Sequence, residues 1–359
     1  MLKLIKPAPN KLWIAVTNTC NLRCRHCLVK AGVSFKTELS TKKIYQIIKE
    51  AVNLGVKRIA FTGGEPLLRS DIISIIKYAS SFGIRTYLET NGALLTNNLI
   101  NKLKTAGLEV LNLSLDGPTP KIHDKFRGKK GLFEKVIKSI YQAVKIGLDV
   151  RVYYTVTTQN IYNVEEIPKL FIGLPRKLGV LTYAYFIPLG RGKTKYKWMV
   201  PPNQWVFLCK KLNKLIKLYK NNFPIRYEPV FLTKNNLKKI QKTLPYNISC
   251  LAHEKDWLYI SPQGRVYGCI FLINTNKILG NIIYENLADI WLDSKKWSFF
   301  ESTNNKNMGC KVLTSQIKGS KSNEDTKSKK LNKNLVPICP LTQYPKIEPW
   351  PYENKVTKI

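Results

Sequence analysis

Acidic residues are scarce in this chain: 23 Asp and Glu stand against 59 Lys and Arg in 359 residues, a formal charge of +36. Histidine and methionine are rarer still, at three each. Eight cysteines are too few to staple a chain of this length as a disulfide scaffold, so grouped thiols are expected to bind metal or do chemistry in a reducing compartment. No stretch approaches the roughly 18 to 20 uninterrupted apolar residues that a membrane-spanning helix needs, so no membrane partner is expected. The first residues are basic, but Pro7, Pro9 and Asn10 interrupt them before an apolar run develops. That pattern does not read as a secretory signal, and the expected location is cytoplasmic.

What is present is ample core-forming material, 44% hydrophobic and 11% aromatic, in a length that predicts a large domain with a smaller companion. The positive charge attracts polyanions and acidic proteins without bearing on fold. Nucleic-acid binding is one use for it. Docking of an acidic electron carrier is another, and a lysine-rich codon bias, favoured by the even spread of lysine, is a third.

The first two thirds repeat one unit: a β-branched apolar run, a turn, an amphipathic helical stretch and a glycine. Residues 41–54 place Ile44, Ile47, Ile48, Ala51 and Val52 on one face, with Ser40 or Thr41 as cap and Gly55 as stop. Similar units end at Gly83, Gly107 and Gly147, and a fifth segment ends at Gly179. Strand-like runs at 12–17, 57–62, 84–90, 109–115, 149–157 and 180–187 alternate with them. Such alternation predicts the α/β class, with right-handed crossovers and a parallel sheet. Six units fall short of eight-fold closure, so the expected architecture is a partial (β/α)6 TIM-like barrel over residues 1–195, with ligands at the carboxyl ends of its strands. A helical connection is expected at 196–246, and a strand-and-turn domain at 247–359. Within the latter, the polar, lysine-rich stretch 315–334 reads as a disordered insert.

The strongest chemical signal is CNLRCRHC, a C-x3-C-x2-C run formed by Cys20, Cys24 and Cys27 directly after the first strand. Three thiolates this close can surround one cubane cluster and leave the fourth iron open, as a catalytic centre requires. The competing reading is a zinc site whose fourth ligand is His26 or His123, in a basic nucleic-acid-binding protein. Three further polar motifs end successive strands: Gly63, Gly64, Glu65 and Pro66 after the second, Thr90-Asn91-Gly92 after the third, and Ser114-Leu115-Asp116-Gly117 after the fourth. The glycines permit close backbone approach to a ligand, and Glu65 can accept from an ammonium group. Four polar strand ends on one rim are hard to explain as packing.

Over residues 10–195 this set of motifs resembles the radical S-adenosylmethionine (SAM) superfamily. The resemblance implies a [4Fe-4S] cluster on Cys20, Cys24 and Cys27, with SAM chelating the open iron. It assigns Gly63, Gly64, Glu65 and Pro66 to the methionine amino group, Asn91 and Ser114 to the ribose or carboxylate, Arg127 to the carboxylate, and His26 to the adenine. Arg191, in Pro-Leu-Gly-Arg-Gly, also follows a strand and is expected to face the cofactor. The implied chemistry is reductive cleavage of SAM to methionine and a 5′-deoxyadenosyl radical, which removes hydrogen from a substrate. The implied electron donor is an acidic ferredoxin or flavodoxin.

Farther on, Gly264 and Cys269 form a G-x4-C element that resembles the SPASM or shorter Twitch extension. By that resemblance Cys250, Cys269, Cys310 and Cys339 would hold one auxiliary [4Fe-4S] cluster. Cys209 shares an apolar helical face with Leu212 and Ile216 and reads as a core residue. The substrate classes implied are a ribosomally made peptide or a tetrapyrrole-type cofactor precursor. The absence of an obvious peptide-recognition segment before the first strand tilts the reading toward the latter.

Overall fold

A computed structural model describes residues 8–228, 230–233, 252, 255–273, 275–301, 310 and 335–337. Seven strands in chain order lie side by side and parallel: β1 (Lys11–Thr17), β2 (Arg58–Gly63), β3 (Arg85–Thr90), β4 (Val110–Ser114), β5 (Asp149–Val156), β6 (Val180–Tyr185) and β7 (Ile225–Tyr227). The first six are those anticipated from sequence. The seventh falls within the expected helical connection, which also supplies the long helix α6 (Pro202–Tyr219).

The crossovers are α1 (Thr41–Leu54), α2 (Ile72–Ser80), α3 (Asn97–Thr105) and the pair α4 (Pro120–Arg127) and α5 (Leu132–Lys145). Helix α1 begins where the Ser40 hydroxyl accepts from the Lys43 N–H, and ends at Gly55, whose φ of 94° suits glycine. Between β5 and β6 the connection is two short 3-10 turns, Ile161–Asn163 and Pro168–Phe171. Pro168, lacking an N–H, cannot extend an α-helix from the preceding turn.

Alternation along the strands sorts two surfaces. Leu12, Ile14, Val16, Ile59, Phe61, Leu88, Leu111 and Leu113 are buried among the apolar faces of the helices in one continuous core. The opposite face carries a small separate cluster, Ala60, Tyr87 and Val110 with Trp13, together with polar and charged side chains. A sheet buried on both sides normally reads as unbroken apolar runs. Here the inner face instead mixes that apolar cluster with polar and charged side chains such as Asn112 and Arg151, which leaves room and polar groups for a ligand.

The later residues extend the same sheet. Strand β9 (Trp257–Ile260) lies parallel to β1 on the side away from β2, followed by antiparallel β10 (Arg265–Tyr267) and β11 (Gly280–Asn281). Strand β8 (Phe231–Thr233) pairs instead with β12 (Leu335–Pro337). Short helices α7 (Leu287–Leu292) and α8 (Ser298–Glu301) follow β11, and the Leu287 N–H donates to Glu50 of α1 at 2.8 Å. The expected C-terminal unit is therefore stitched to the barrel through β1 and α1. The insert expected at 315–334 lies outside the described residues, as do Cys250 and Cys339.

Candidate active site

The cysteine loop leaves β1 and is tied at its neck. The Cys20 N–H donates to Gly32 O and the Gly32 N–H to Asn18 O, both at 2.8 Å. Glu38 accepts from the Thr17 hydroxyl at 2.8 Å and from the Asn18 and Phe35 N–H groups at 2.9 Å. On the far side, Arg191 donates to Cys24 O at 2.8 Å and to Ala31 O, and its own N–H donates to Cys27 O. Arg191, expected from sequence to face the cofactor, thus clamps the cysteine loop by its carbonyls.

The second rim motif meets this loop backbone to backbone. The Gly64 N–H donates to Thr17 O at 2.7 Å and the Glu65 N–H to Thr19 O at 2.8 Å. A Cβ on Gly63 would fall 2.2 Å from Thr17 O, and one on Gly64 2.2 Å from Thr19 O. No side chain fits at either position, which gives the Gly-Gly pair its local cause.

Glu65 is fully buried and occupied. It accepts from the Leu67 N–H at 3.1 Å, the Thr90 hydroxyl at 2.7 Å and the Asn91 N–H at 2.8 Å, tying the end of β2 to the end of β3. Burial pushes its carboxyl up to about 7, against the lowering effect of those donors. Glu65, Gly63 and Pro66 do not line the central cavity, whereas Gly64 does.

Asn91 reaches the loop directly. Its Nδ2 donates to Asn21 Oδ1 at 2.9 Å and lies 3.9 Å from Cys20 Sγ, while its Oδ1 accepts from the Ala93 N–H. At the end of β4, Asp116 is buried. It accepts from Arg127 Nε at 2.5 Å and from the Thr155 N–H at 2.8 Å. This pair holds the Arg127 guanidinium charged despite its burial, with Nη1 3.9 Å from Cys24 Sγ. The sequence motif points to Ser114 and not to Asp116, whose one local signal is a carboxylate two residues past a strand end and 11 residues before an arginine.

These groups face one cavity of about 570 Å³ inside the barrel. Cys20, Cys24, Cys27, His26, Gly64, Asn91, Ser114, Arg127 and Arg191 line it, so nine of the twelve residues assigned to cluster or cofactor in this half of the sequence converge there. Burial raises the pKa of the Cys20 and Cys24 thiols, with Arg127 opposing the effect at Cys24. Buried thiols that resist losing a proton by themselves become thiolates when a metal takes its place, so the donor set fits iron ligation. His26 packs against Phe126 at 4.4 Å, and its buried Nδ1 has no partner, leaving one polar atom for a ligand.

A match to the radical SAM superfamily model covers residues 14–171, and a match to the SPASM iron-sulfur cluster-binding domain covers residues 250–312. The AdoMet-dependent heme synthase of Methanosarcina barkeri is 32% identical over 298 residues, 79% of this chain and 82% of that protein. The chain belongs to the radical SAM superfamily. It is a radical SAM enzyme with a C-terminal SPASM extension.

A second relative from the same organism, an Fe-coproporphyrin III synthase, is 35% identical over 179 residues, a match spanning 49% of this chain and 44% of that protein. Among solved structures, Streptococcus suis SuiB bound to precursor peptide SuiA has a TM-score of 0.70 at 18% identity, covering 85% of this chain and 68% of that one. At that identity the likeness concerns fold. The zinc and nucleic-acid reading is not supported. His123, offered as a fourth ligand, does not line the cavity that the three thiols line; its Nδ1 accepts from the Asp116 N–H.

In the SPASM region Cys269 and Cys310 are both buried, at 4% and 7% exposure. Cys209 is buried with Trp205, Leu208 and Leu212 on α6, as its helical phase predicts. No helix of the described residues is long and apolar enough to cross a membrane.

Proposed function

We propose that this radical SAM enzyme acts on a carboxylate-bearing tetrapyrrole in haem-type cofactor biosynthesis. Cys20, Cys24 and Cys27 would hold the catalytic [4Fe-4S] cluster, and Gly64, Asn91, Ser114, Arg127 and His26 would receive SAM. When bound, cluster and SAM together supply a 5′-deoxyadenosyl radical, able to remove hydrogen from an unactivated carbon. The chain's own contribution is position and exclusion of water. Arg191 and the bonds of Gly32 to Asn18 and Cys20 fix the loop, Asp116 fixes Arg127, and Glu65 fixes the β2 and β3 ends.

The observation that carries the reading is one cavity that joins the three thiols to a roomy, largely apolar interior carrying Lys11, Arg58, Glu89 and Asn112. The heme synthase relative, matched over most of both chains, supports the substrate class. Cys250, Cys269, Cys310 and Cys339 are the proposed ligands of one auxiliary [4Fe-4S] cluster. The excess of cations suits docking of an acidic ferredoxin or flavodoxin, and the thiolate-based clusters suit a reducing cytoplasm.

The test is anaerobic reconstitution with iron and sulfide, followed by SAM, a strong reductant and Fe-coproporphyrin III. The expected products are 5′-deoxyadenosine and a decarboxylated porphyrin, detected by mass spectrometry. Formation of 5′-deoxyadenosine without any change in the porphyrin would refute the substrate class. Its persistence after replacement of all three cysteines by alanine would refute the cluster assignment.

A further inference from the structure

The cavity has a second end. Strand β1 climbs seven residues from Lys11 to Thr17, six steps or roughly 20 Å at about 3.3 Å per step. The cysteine loop begins at the top, while Lys11 and Arg58, the first residues of β1 and β2, line the same cavity at the floor. Asn10, Asp256 and Trp257 close the floor on the side of β9, and Glu89 lines the wall above it.

Lys11 is unusual among the cations there. Its Nζ lies 4.0 Å from the Trp13 ring centroid and 3.9 Å from that of Tyr87. Among the described residues it has no hydrogen bond and no carboxylate within ion-pair distance. Glu89, the nearest acidic influence, already accepts from Trp13 Nε1 at 3.1 Å and Asn112 Nδ2 at 3.2 Å. Arg85 and Arg151 also approach the Tyr87 ring, at 5.6 and 5.2 Å, and both are paired with Asp149.

An ammonium carries three donors, and two ring faces satisfy none of them with a lone pair. Burial, reinforced by Arg151, Arg58 and Arg85 and opposed by Glu89, pulls the Lys11 pKa down to about 7. A half-buried lysine set between two rings and near three arginines is costly by itself, and the cost is relieved when an anion arrives.

We propose that Lys11, with Arg58 beside it, is a substrate-binding residue that receives a carboxylate remote from the carbon that reacts at the rim. This deepens the reading of the cavity as the substrate site. A substrate gripped at the floor must be long enough to present its reacting carbon near the cysteines. A macrocycle with acid groups on opposite edges meets that requirement, because one carboxylate anchors while another edge faces the rim.

The test titrates Fe-coproporphyrin III and its tetramethyl ester into the full-length, reconstituted protein with SAM bound, following porphyrin absorbance. Iron content and melting temperature serve as folding controls. Lys11→Met is expected to weaken the acid about tenfold or more and to leave the ester unchanged. Lys11→Arg, which keeps the charge, is expected to retain acid binding within about threefold. Equal acid affinity in wild type and Lys11→Met overturns the proposal, as does a parallel loss for acid and ester. Should wild type bind neither macrocycle, the tetrapyrrole reading fails separately, and the floor site is judged by calorimetry with mellitate, a benzene hexacarboxylate. Wild-type binding of mellitate that Lys11→Met weakens sustains the site, and absent or unchanged binding overturns it.

Discussion

Asp116→Asn tests whether the rim depends on a buried charge pair. Asp116 has no exposed surface and accepts two bonds, from Arg127 Nε at 2.5 Å and the Thr155 N–H at 2.8 Å. The amide that replaces it is neutral and leaves the Arg127 guanidinium charged with no anion beside it. Removing one partner of a buried pair costs about 3–5 kcal/mol. At roughly 2 °C per kcal/mol for a chain of this size, the melting temperature should fall by roughly 6–10 °C. Thermal unfolding of the cluster-free protein, followed by circular dichroism, separates this effect from loss of iron.

The companion variants sharpen that test. Arg127→Met alone leaves the carboxylate buried without its partner and should also be destabilising. The double variant, Asp116→Asn with Arg127→Met, removes both charges and should regain at least half of the loss, because neutral groups of similar size need no counter-ion. Losses that simply add in the double variant, or an Asp116→Asn melting temperature within about 2 °C of wild type, would show that the pair does not act as a unit.

Glu65→Gln should flatten the pH dependence of stability. The Glu65 carboxyl is raised from 4.5 to about 7, so the folded state takes up a proton that the unfolded state releases between those values. The associated stability is present below pH 4.5 and is lost as pH rises through 7. It amounts to about 3 kcal/mol as an upper bound, and denaturation of the glutamine variant across pH 5 to 7.5 should lack that decline. Gly64→Ala should fail differently. Its Cβ would sit 2.2 Å from Thr19 O, so the cysteine loop must shift, at a cost of about 1–3 kcal/mol. Reconstituted iron per chain should drop sharply in Gly64→Ala, and a full complement of iron would refute the backbone-contact argument.

The rim was legible in the sequence because its parts are punctuation. Cysteines at fixed spacing, paired glycines and polar triplets at strand ends each announce a position without reference to distant residues. The roles within the rim were less legible. Glu65 looks like a ligand for an ammonium group until Leu67, Thr90 and Asn91 are found donating to it. Arg191 lines the cavity as its motif suggests, but its bonds to the cysteine-loop carbonyls could not be read from the sequence. Strand β7 escaped detection because Ile225–Tyr227 is three residues long, too short for any period to register. The docking of β9 on β1 is a pairing of residues about 245 positions apart, which no local pattern encodes.

The floor was invisible for a different reason. In a chain with 59 Lys and Arg, another lysine at the start of a strand carries no signal. Only the pleat distinguishes it. Lys11, Trp13 and Ala15 alternate with Leu12, Ile14 and Val16, and the second set is fully buried against the helices, so the first must face inward. The same alternation turns Arg58, Arg85 and Arg151 inward at the starts of β2, β3 and β5. The two ends of the barrel are therefore built by different means. The rim is held largely by backbone contacts that tolerate no added atom, while the floor is a set of side chains on strands whose backbone is already fixed by its neighbours. On the proposed assignment of substrate to the floor, a change of side chain there should alter what is bound without moving a strand, which would make substrate choice and radical generation mechanically separable in this fold.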